Sequence, residues 1–151
     1  MIFIAGATGY LGRPLAERLL NKGKTVRALV RRGSEHKLPR DVEPVYERDV
    51  SGVDTFVHLI GTPRPSPAKA RQFRGVDLPQ ALASIEAAKR GGVRHFIYVS
   101  VAHPAPMMHA YIEVRRQCEQ ALAESGVPNT VLRPWYVLGP GHWWPYALVP
   151  V

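Results

Sequence analysis

The sequence predicts an α/β fold, a doubly wound parallel sheet with helices on both faces. Three observations carry that expectation. An apolar run, residues 1–5, leads straight into Gly6-Ala7-Thr8-Gly9-Tyr10-Leu11-Gly12 and then into a helical pattern, the order of strand, glycine-rich turn and helix N-terminus. Short β-branched runs alternate with helical ones, as in parallel strands joined by crossover helices. Glycines at 23, 91, 92 and 126 punctuate the helical runs, where a glycine ends a helix at little steric cost.

Taken in order, Ile2–Ala5 reads as the first strand. Residues 14–21 form the first helix, with Leu15, Leu19 and Leu20 on one face and Gly23 ending it. Residues 25–30 are the second strand, 44–46 a weak third and 55–60 a strong fourth. Leu78–Arg90 is a helix capped by Asp77 and stopped by Gly91-Gly92. Residues 95–100 are the fifth strand, 109–125 the longest helix, closed by Gly126 and Pro128, and 130–133 begin a sixth strand. Two features sit awkwardly. Parallel strands need a crossover of about a dozen residues or more, yet only residues 47–54 separate the third strand from the fourth. Either a crossover helix has been lost or the third strand is not a parallel neighbour of the fourth. The chain also ends abruptly on the apolar stretch 143–151, as if the usual C-terminal part were lacking, and the aromatic residues there favour self-association into a homo-oligomer.

The 151 residues suit one domain, spanning 1–151. Cys118, the single cysteine, permits no internal disulfide, so a reducing cytoplasm is the expected compartment. No stretch approaches the roughly 18 apolar residues of a membrane helix, and no membrane association is expected. The net charge of +8 is concentrated between Arg13 and Arg40, which alone carry +7. Such a patch is either a solvated basic face or a field that draws in a polyanionic ligand. No nucleic-acid-binding motif accompanies it, so nucleic acid is not the expected partner. No Cys/His cluster has metal-ligand spacing, and no metal is expected.

The glycine loop carries the clearest chemistry. Gly6 would allow the tight turn, Gly9 would let the backbone approach a pyrophosphate, and Gly12 would let helix and strand pack closely. Unpaired first-turn amides and the positive end of the helix dipole would then face the anion. After the second strand, an acid would accept the ribose 2′-hydroxyl of NAD, whereas arginine would accommodate a 2′-phosphate. This chain has Arg31-Arg32-Gly33-Ser34, with Glu35 only later. Guanidinium forks match phosphate geometry, so NADP(H) is favoured over NAD(H); the alternative is a basic surface turn.

The Gly-x-x-Gly-x-x-Gly spacing, with Thr8, Tyr10 and Leu11 inside it, resembles the atypical and extended branches of the short-chain dehydrogenase/reductase superfamily. Its wording is most similar to NmrA-like NAD(P)-binding, nucleoside-diphosphate-sugar epimerase-like proteins. The resemblance implies a Rossmann-like domain that binds a dinucleotide and a small-molecule substrate. It implies adenine contact for Asp49-Val50, and places the strand ending at Ile60-Gly61 beside the adenosine and pyrophosphate. His58 in that strand reads as a packed residue rather than a catalyst. The stretch Arg133-Pro134-Trp135-Tyr136-Val137-Leu138-Gly139-Pro140-Gly141 resembles the family segment that lies over the nicotinamide, with Pro134 and Val137 pressing on the ring and its ribose.

For catalysis the resemblance implies a serine or threonine after the fifth strand and a Tyr-x-x-x-Lys on the next helix, the lysine lowering the tyrosine pKa and binding the ribose. The matching positions are Ser100, Tyr111 and Arg115. Spacing i, i+4 puts Tyr111 and Arg115 on one helical face, but the lysine has become arginine. Family members also place a hydroxyl about two residues beyond Ser100, where this chain has Ala102. His103 and His109 are further candidates for a proton donor, since imidazole titrates in the useful range. The expected function is an NADP(H)-dependent reductase or epimerase-like oxidoreductase using hydride transfer. The alternative is a catalytically weak NADP(H)-binding sensor or assembly protein of the NmrA-like type.

Overall fold

Alternating apolar side chains along short strands build the centre of the molecule. The computed structural model describes residues 1–103, 108–135 and 137–141. Six strands, β1 (Ile2–Ala5), β2 (Val26–Leu29), β3 (Glu43–Val45), β4 (Thr55–His58), β5 (His95–Val99) and β6 (Asn129–Leu132), form one sheet in the order β3-β2-β1-β4-β5-β6. Every pairing is parallel. Register aligns Phe3 with Phe56 and Phe56 with Phe96, so three phenylalanines stack in a row, their ring centroids 4.7 and 5.0 Å apart. All three are fully buried, each contributing roughly 1.5–3 kcal/mol of hydrophobic stabilisation.

The alternate side chains, Ile4, Val26, Ala28 and Val57, face the other way and meet Ala16, Leu15 and Leu19 of α1 (Gly12–Asn21). The phenylalanine face is covered by α3 (Leu78–Arg90) and α4 (His109–Glu124). In α3 the buried residues are Ala81, Ser84, Ile85, Ala87 and Ala88, of which Ala81, Ser84, Ile85 and Ala88 form the i, i+3, i+4, i+7 stripe of a helix lying on a core. The expected fold class holds: a doubly wound parallel sheet with helices on both faces.

The third strand meets both conditions posed by the short connection. β3 is parallel, but it lies at the sheet edge beside β2, with β2 and β1 between it and β4. The connection between β3 and β4 carries no helix. It leaves a groove of ≈ 450 Å³ along α3, lined by Glu47, Arg48, Asp49, Ala83, Glu86, Ala87 and Arg90.

One expectation needs correcting. Asp77 does not cap α3: its backbone is helical and its side chain makes no cap hydrogen bond. A helical run starts upstream, with the short α2 (Ala70–Gln72) and a wide turn at Phe73–Asp77 passing directly into α3. The Asp77 carboxylate is turned into the core, where other partners hold it. The element bounds otherwise shift by one or two residues, within the ordinary fraying of helix and strand ends. The C-terminal segment 143–151, expected to drive self-association, lies outside the described residues.

Candidate functional site

The strand order reverses between β1 and β4, and open parallel sheets bind ligands in the crevice at such a point, beyond the carboxyl ends of the strands. The loops after β1 and β4 meet there. Gly6 has φ +99°, and a Cβ on it would come within 2.8 Å of the Leu59 carbonyl carbon. A Cβ on Gly12 would drive into the Gly6 carbonyl oxygen, so the start of α1 can lie against β1 only without a side chain. The turn is closed by the Gly9 amide donating to the Gly6 carbonyl at 3.1 Å. No side chain caps α1, while Thr8, Gly9, Tyr10 and Leu11 are exposed. These features fit a dinucleotide pyrophosphate: a cradle that a Cβ would fill, opening onto an uncapped helix N-terminus. The Tyr10 hydroxyl also reaches Gly139, where a Cβ would collide with it. The glycine loop and the Gly139-Pro140-Gly141 turn therefore border one site.

At the end of β2, Arg31 and Arg32 are both exposed. Arg32 lies over the Tyr46 ring, 4.2 Å from its centroid. Arg13, one residue past the glycine loop, donates to the Lys37 carbonyl at 2.7 Å, which adds another cation to this edge. Asp49 and Val50 are not brought here. The Asp49 carboxylate accepts the Ser51 amide and pairs with Arg27 at 3.6 Å, and Arg27 stands in register with the first residue of β3. Val50 is buried against Gly91, where α3 ends. The pair packs and anchors the helix-free connection, which turns back under the sheet before residue 49.

Beyond β4, Ile60 is half-buried and Gly61 exposed. A Cβ on Gly61 would come within 2.6 Å of Arg115 Nη2, so the guanidinium occupies the space over that glycine. Arg115 is itself buried and pairs with the buried Asp77 at 3.3 Å. It also donates to the Tyr98 hydroxyl at 3.0 Å and the Val99 carbonyl at 3.3 Å. Burial works against its charge, but Tyr98, Tyr111 and Asp77 outweigh that and hold its pKa above the ordinary arginine range. Asp77 in turn accepts the Thr62 amide at 2.9 Å and the Thr62 hydroxyl at 2.7 Å. One ion pair thus ties α4 to the loop after β4.

His58 has the packed role expected of it. It is buried, its Nδ1 lies 3.0 Å from the Ser84 hydroxyl, and Arg48 donates to the same oxygen at 3.0 Å. Burial, helped by the charges of Arg115 and Arg48, depresses its pKa to about 3 and keeps the ring neutral.

Tyr111 lies one helical turn before Arg115, with the guanidinium 4.9 Å from its ring centroid and the Phe73 ring 5.0 Å away on a tilt. Ser100, at the end of β5, is buried. Its hydroxyl has no partner at normal hydrogen-bond geometry among the described residues, although it lies close enough to Glu119 to help lower that carboxylate's pKa. Glu119 receives Arg133 through both carboxylate oxygens, at 3.0 and 2.5 Å, and lies 3.8 Å from His103 Nε2. Burial raises the Glu119 pKa, but Arg133 and its neighbours more than reverse this and keep the carboxylate ionised. The Ala102 amide donates to the Pro134 carbonyl at 3.0 Å. Together these bonds fasten the Arg133-Pro134 segment to α4 and to the segment after β5, with Pro134 and Val137 both half-buried. Tyr136 lies outside the described residues.

Asp77 and Glu119 are the residues that sequence reasoning missed. Glu119 sits four residues after Arg115 on the same helix, a spacing that was available to be read. Asp77 gave no such signal, because an aspartate before a helix reads as a cap. Among the described residues, no three His, Cys, Asp or Glu side chains cluster as metal ligands, and no helix is long and apolar enough to cross a membrane.

Comparison with known proteins agrees with this geometry. A ceramide reductase from Caulobacter vibrioides is 32% identical, covering 93% of this chain and 47% of its own length. That alignment runs over 155 positions, more than the 151 residues here. The relative therefore carries residues inside the span that this chain lacks. A (4-alkanoyl-5-oxo-2,5-dihydrofuran-3-yl)methyl phosphate reductase from Streptomyces griseus is 35% identical over 89% of this chain and 47% of its own length. The photosystem II assembly factor Ycf39 of Trieres chinensis is 30% identical over 87% and 44%. The chain thus spans about half the length of the curated relatives it matches.

Among solved structures, the Bordetella bronchiseptica enzyme WbmH in complex with NAD+ superimposes with a TM-score of 0.75 at 22% identity, over 92% of this chain and 56% of that one. UDP-N-acetylglucosamine 4-epimerase from Bacillus cereus gives 0.69 at 21%, over 87% and 58%. These two share the Rossmann-like fold. The family described as NAD(P)H-binding matches residues 6–140, from the first loop glycine to the turn that Tyr10 touches, and the chain belongs to that family of dinucleotide-binding proteins.

Proposed function

We propose that this chain binds NADP(H) in preference to NAD(H) and provides the cofactor-binding part of a reductase or epimerase-like oxidoreductase. The observation that carries the preference is the pair of exposed guanidinium side chains, Arg31 and Arg32, at the end of β2, with no carboxylate on the strand end itself. Gly6, Thr8, Gly9, Tyr10, Leu11 and Gly12 would hold the pyrophosphate, and Ile60 and Gly61 would line its other side. Pro134 and Val137, fastened by Glu119 and Arg133, would fix the face of the nicotinamide, which when bound supplies hydride chemistry. Tyr111 would exchange the substrate proton at its hydroxyl oxygen. Arg115 holds the helix that carries it, and Ser100 contributes a buried hydroxyl nearby. The reductases among the relatives support this reading.

Parallel fluorescence titrations with NADPH and NADH test the cofactor assignment. In the Arg31→Ala/Arg32→Ala variant, the NADPH Kd should rise at least tenfold, about 1.4 kcal/mol, with little change for NADH. Equal losses for both nucleotides would place the 2′-phosphate elsewhere.

A second reading, a nucleotide-dependent sensor or assembly protein without turnover, is favoured by one observation. The Arg115 guanidinium, which stands where the family lysine would bind ribose, is buried and occupied by Asp77, Tyr98 and the Val99 carbonyl. Tyr111→Phe separates the two. If NADPH oxidation with a panel of ketone, enone and nucleotide-sugar substrates falls a hundredfold or more, in the range of general acid catalysis, while NADPH still binds, the enzyme reading stands. Turnover that is unchanged removes Tyr111 as the acid, and turnover absent from the wild type supports the sensor.

A further inference from the structure

Tyr46 is a large aromatic side chain, 43% exposed, at the edge of the sheet. It belongs to neither apolar cluster, although Val45 before it packs against the larger one. Its position follows from the sheet: Leu29 pairs with Val45, and the Val30 amide donates to the Val45 carbonyl at 2.9 Å. Tyr46 therefore emerges beside the turn 31–34 that follows β2. That turn closes through the Ser34 amide on the Arg31 carbonyl at 2.9 Å and bends at Gly33, with φ +83°. Arg32 of that turn lies over the Tyr46 ring, 4.2 Å from its centroid, and Glu35 follows the turn with a carboxylate electrostatically coupled to the Tyr46 hydroxyl. That carboxylate is held below its ordinary pKa by its own backbone amide, by Tyr46 and by the Gly33 amide; the same contact raises the pKa of the Tyr46 phenol.

This arrangement serves a phosphate ligand. A guanidinium held over an aromatic ring is restrained while its N–H edges stay free, and those edges take a phosphate in the bidentate manner. We propose that Tyr46 is the positioning residue that sets the preference for a nicotinamide dinucleotide bearing a 2′-phosphate, presenting Arg32 with its ring. This rests on the NADP(H) reading given above.

NADPH and NADH titrations of the wild type, Arg32→Ala, Tyr46→Leu, Tyr46→Trp and Tyr46→Phe test it. Tyr46→Leu should weaken NADPH by about fivefold or more and leave NADH within about twofold. Tyr46→Trp, which restores the ring, should recover most of the loss. Tyr46→Phe, which keeps the ring beneath Arg32, should stay within about twofold of the wild type for both nucleotides. In Arg32→Ala/Tyr46→Leu the second change should add nothing. If Arg32→Ala abolishes the preference but Tyr46→Leu leaves the NADPH-to-NADH ratio at the wild-type value, the role of Tyr46 is overturned and the arginine clamp survives. If the wild type shows no preference for NADPH, or Arg32→Ala does not change it, both fall together. Equal weakening of both nucleotides by Tyr46→Leu would mean a merely structural residue and also overturns the proposal.

Discussion

Replacing Asp77 by alanine should cost the domain roughly 3–5 kcal/mol of unfolding free energy, the usual consequence of leaving one charge of a buried pair alone. Asp77 is 1% exposed and Arg115 6%, so water cannot compensate the guanidinium once its partner is gone. The same substitution releases the Thr62 amide and hydroxyl, and buried donors without partners carry their own penalty. Against a total stability of about 5–15 kcal/mol for a typical domain, that is a large fraction. Urea unfolding followed by far-UV circular dichroism measures it. The double variant Asp77→Leu/Arg115→Met should recover most of the loss, because an apolar pair of similar bulk removes both charges together. A midpoint that hardly moves in Asp77→Ala would mean the pair is hydrated in solution, and Arg115 would then be free to act on a ligand.

Gly12→Ala is expected to abolish nucleotide binding and to destabilise the fold at once. The new Cβ would collide with the Gly6 carbonyl oxygen and the Ala7 Cα, both backbone atoms that no rotamer change can move aside. Either α1 lifts from the sheet or the glycine loop shifts, and the uncapped helix amides move away from the anion in both cases. NADPH affinity should drop on the order of a hundredfold, ~2.8 kcal/mol, and stability by about 1–3 kcal/mol, as for other overpacked sites.

Gly9→Ala provides the contrast. Its Cβ would be tight, 3.3 Å from the same oxygen, but Gly9 is exposed at the face where a pyrophosphate would approach. It should lose binding with much less effect on stability. A Gly12→Ala protein that binds NADPH as the wild type does would refute the assignment of this loop to the pyrophosphate.

Much of this molecule follows from local rules, and those parts were legible in the residues. The strand–glycine–helix order at 1–21, the short β-branched runs of the strands and the glycine stops after α1, α3 and α4 each depend on a backbone angle or a residue run within a few positions. The tight backbone of the glycine loop was legible for the same reason. The spacing of Tyr111 and Arg115 on one face of α4 also follows from helical geometry alone.

What the tertiary structure decided are the partners of charged and aromatic side chains. Arg115 was placed on the right helix, but nothing nearby in the chain points to Asp77, 38 residues away. Asp49 looked like an adenine contact until the absent crossover helix turned it back onto Arg27. Tyr46 read as the end of a weak strand, and its neighbours Arg32 and Glu35 are brought to it only because β3 pairs with β2. Sequence by itself determined the backbone course and the glycine turn before α1, because both are written in local conformational demands. Strand order and packing decided which ions meet, because an ion pair is chosen by proximity across the fold and by the cost of burying either charge alone.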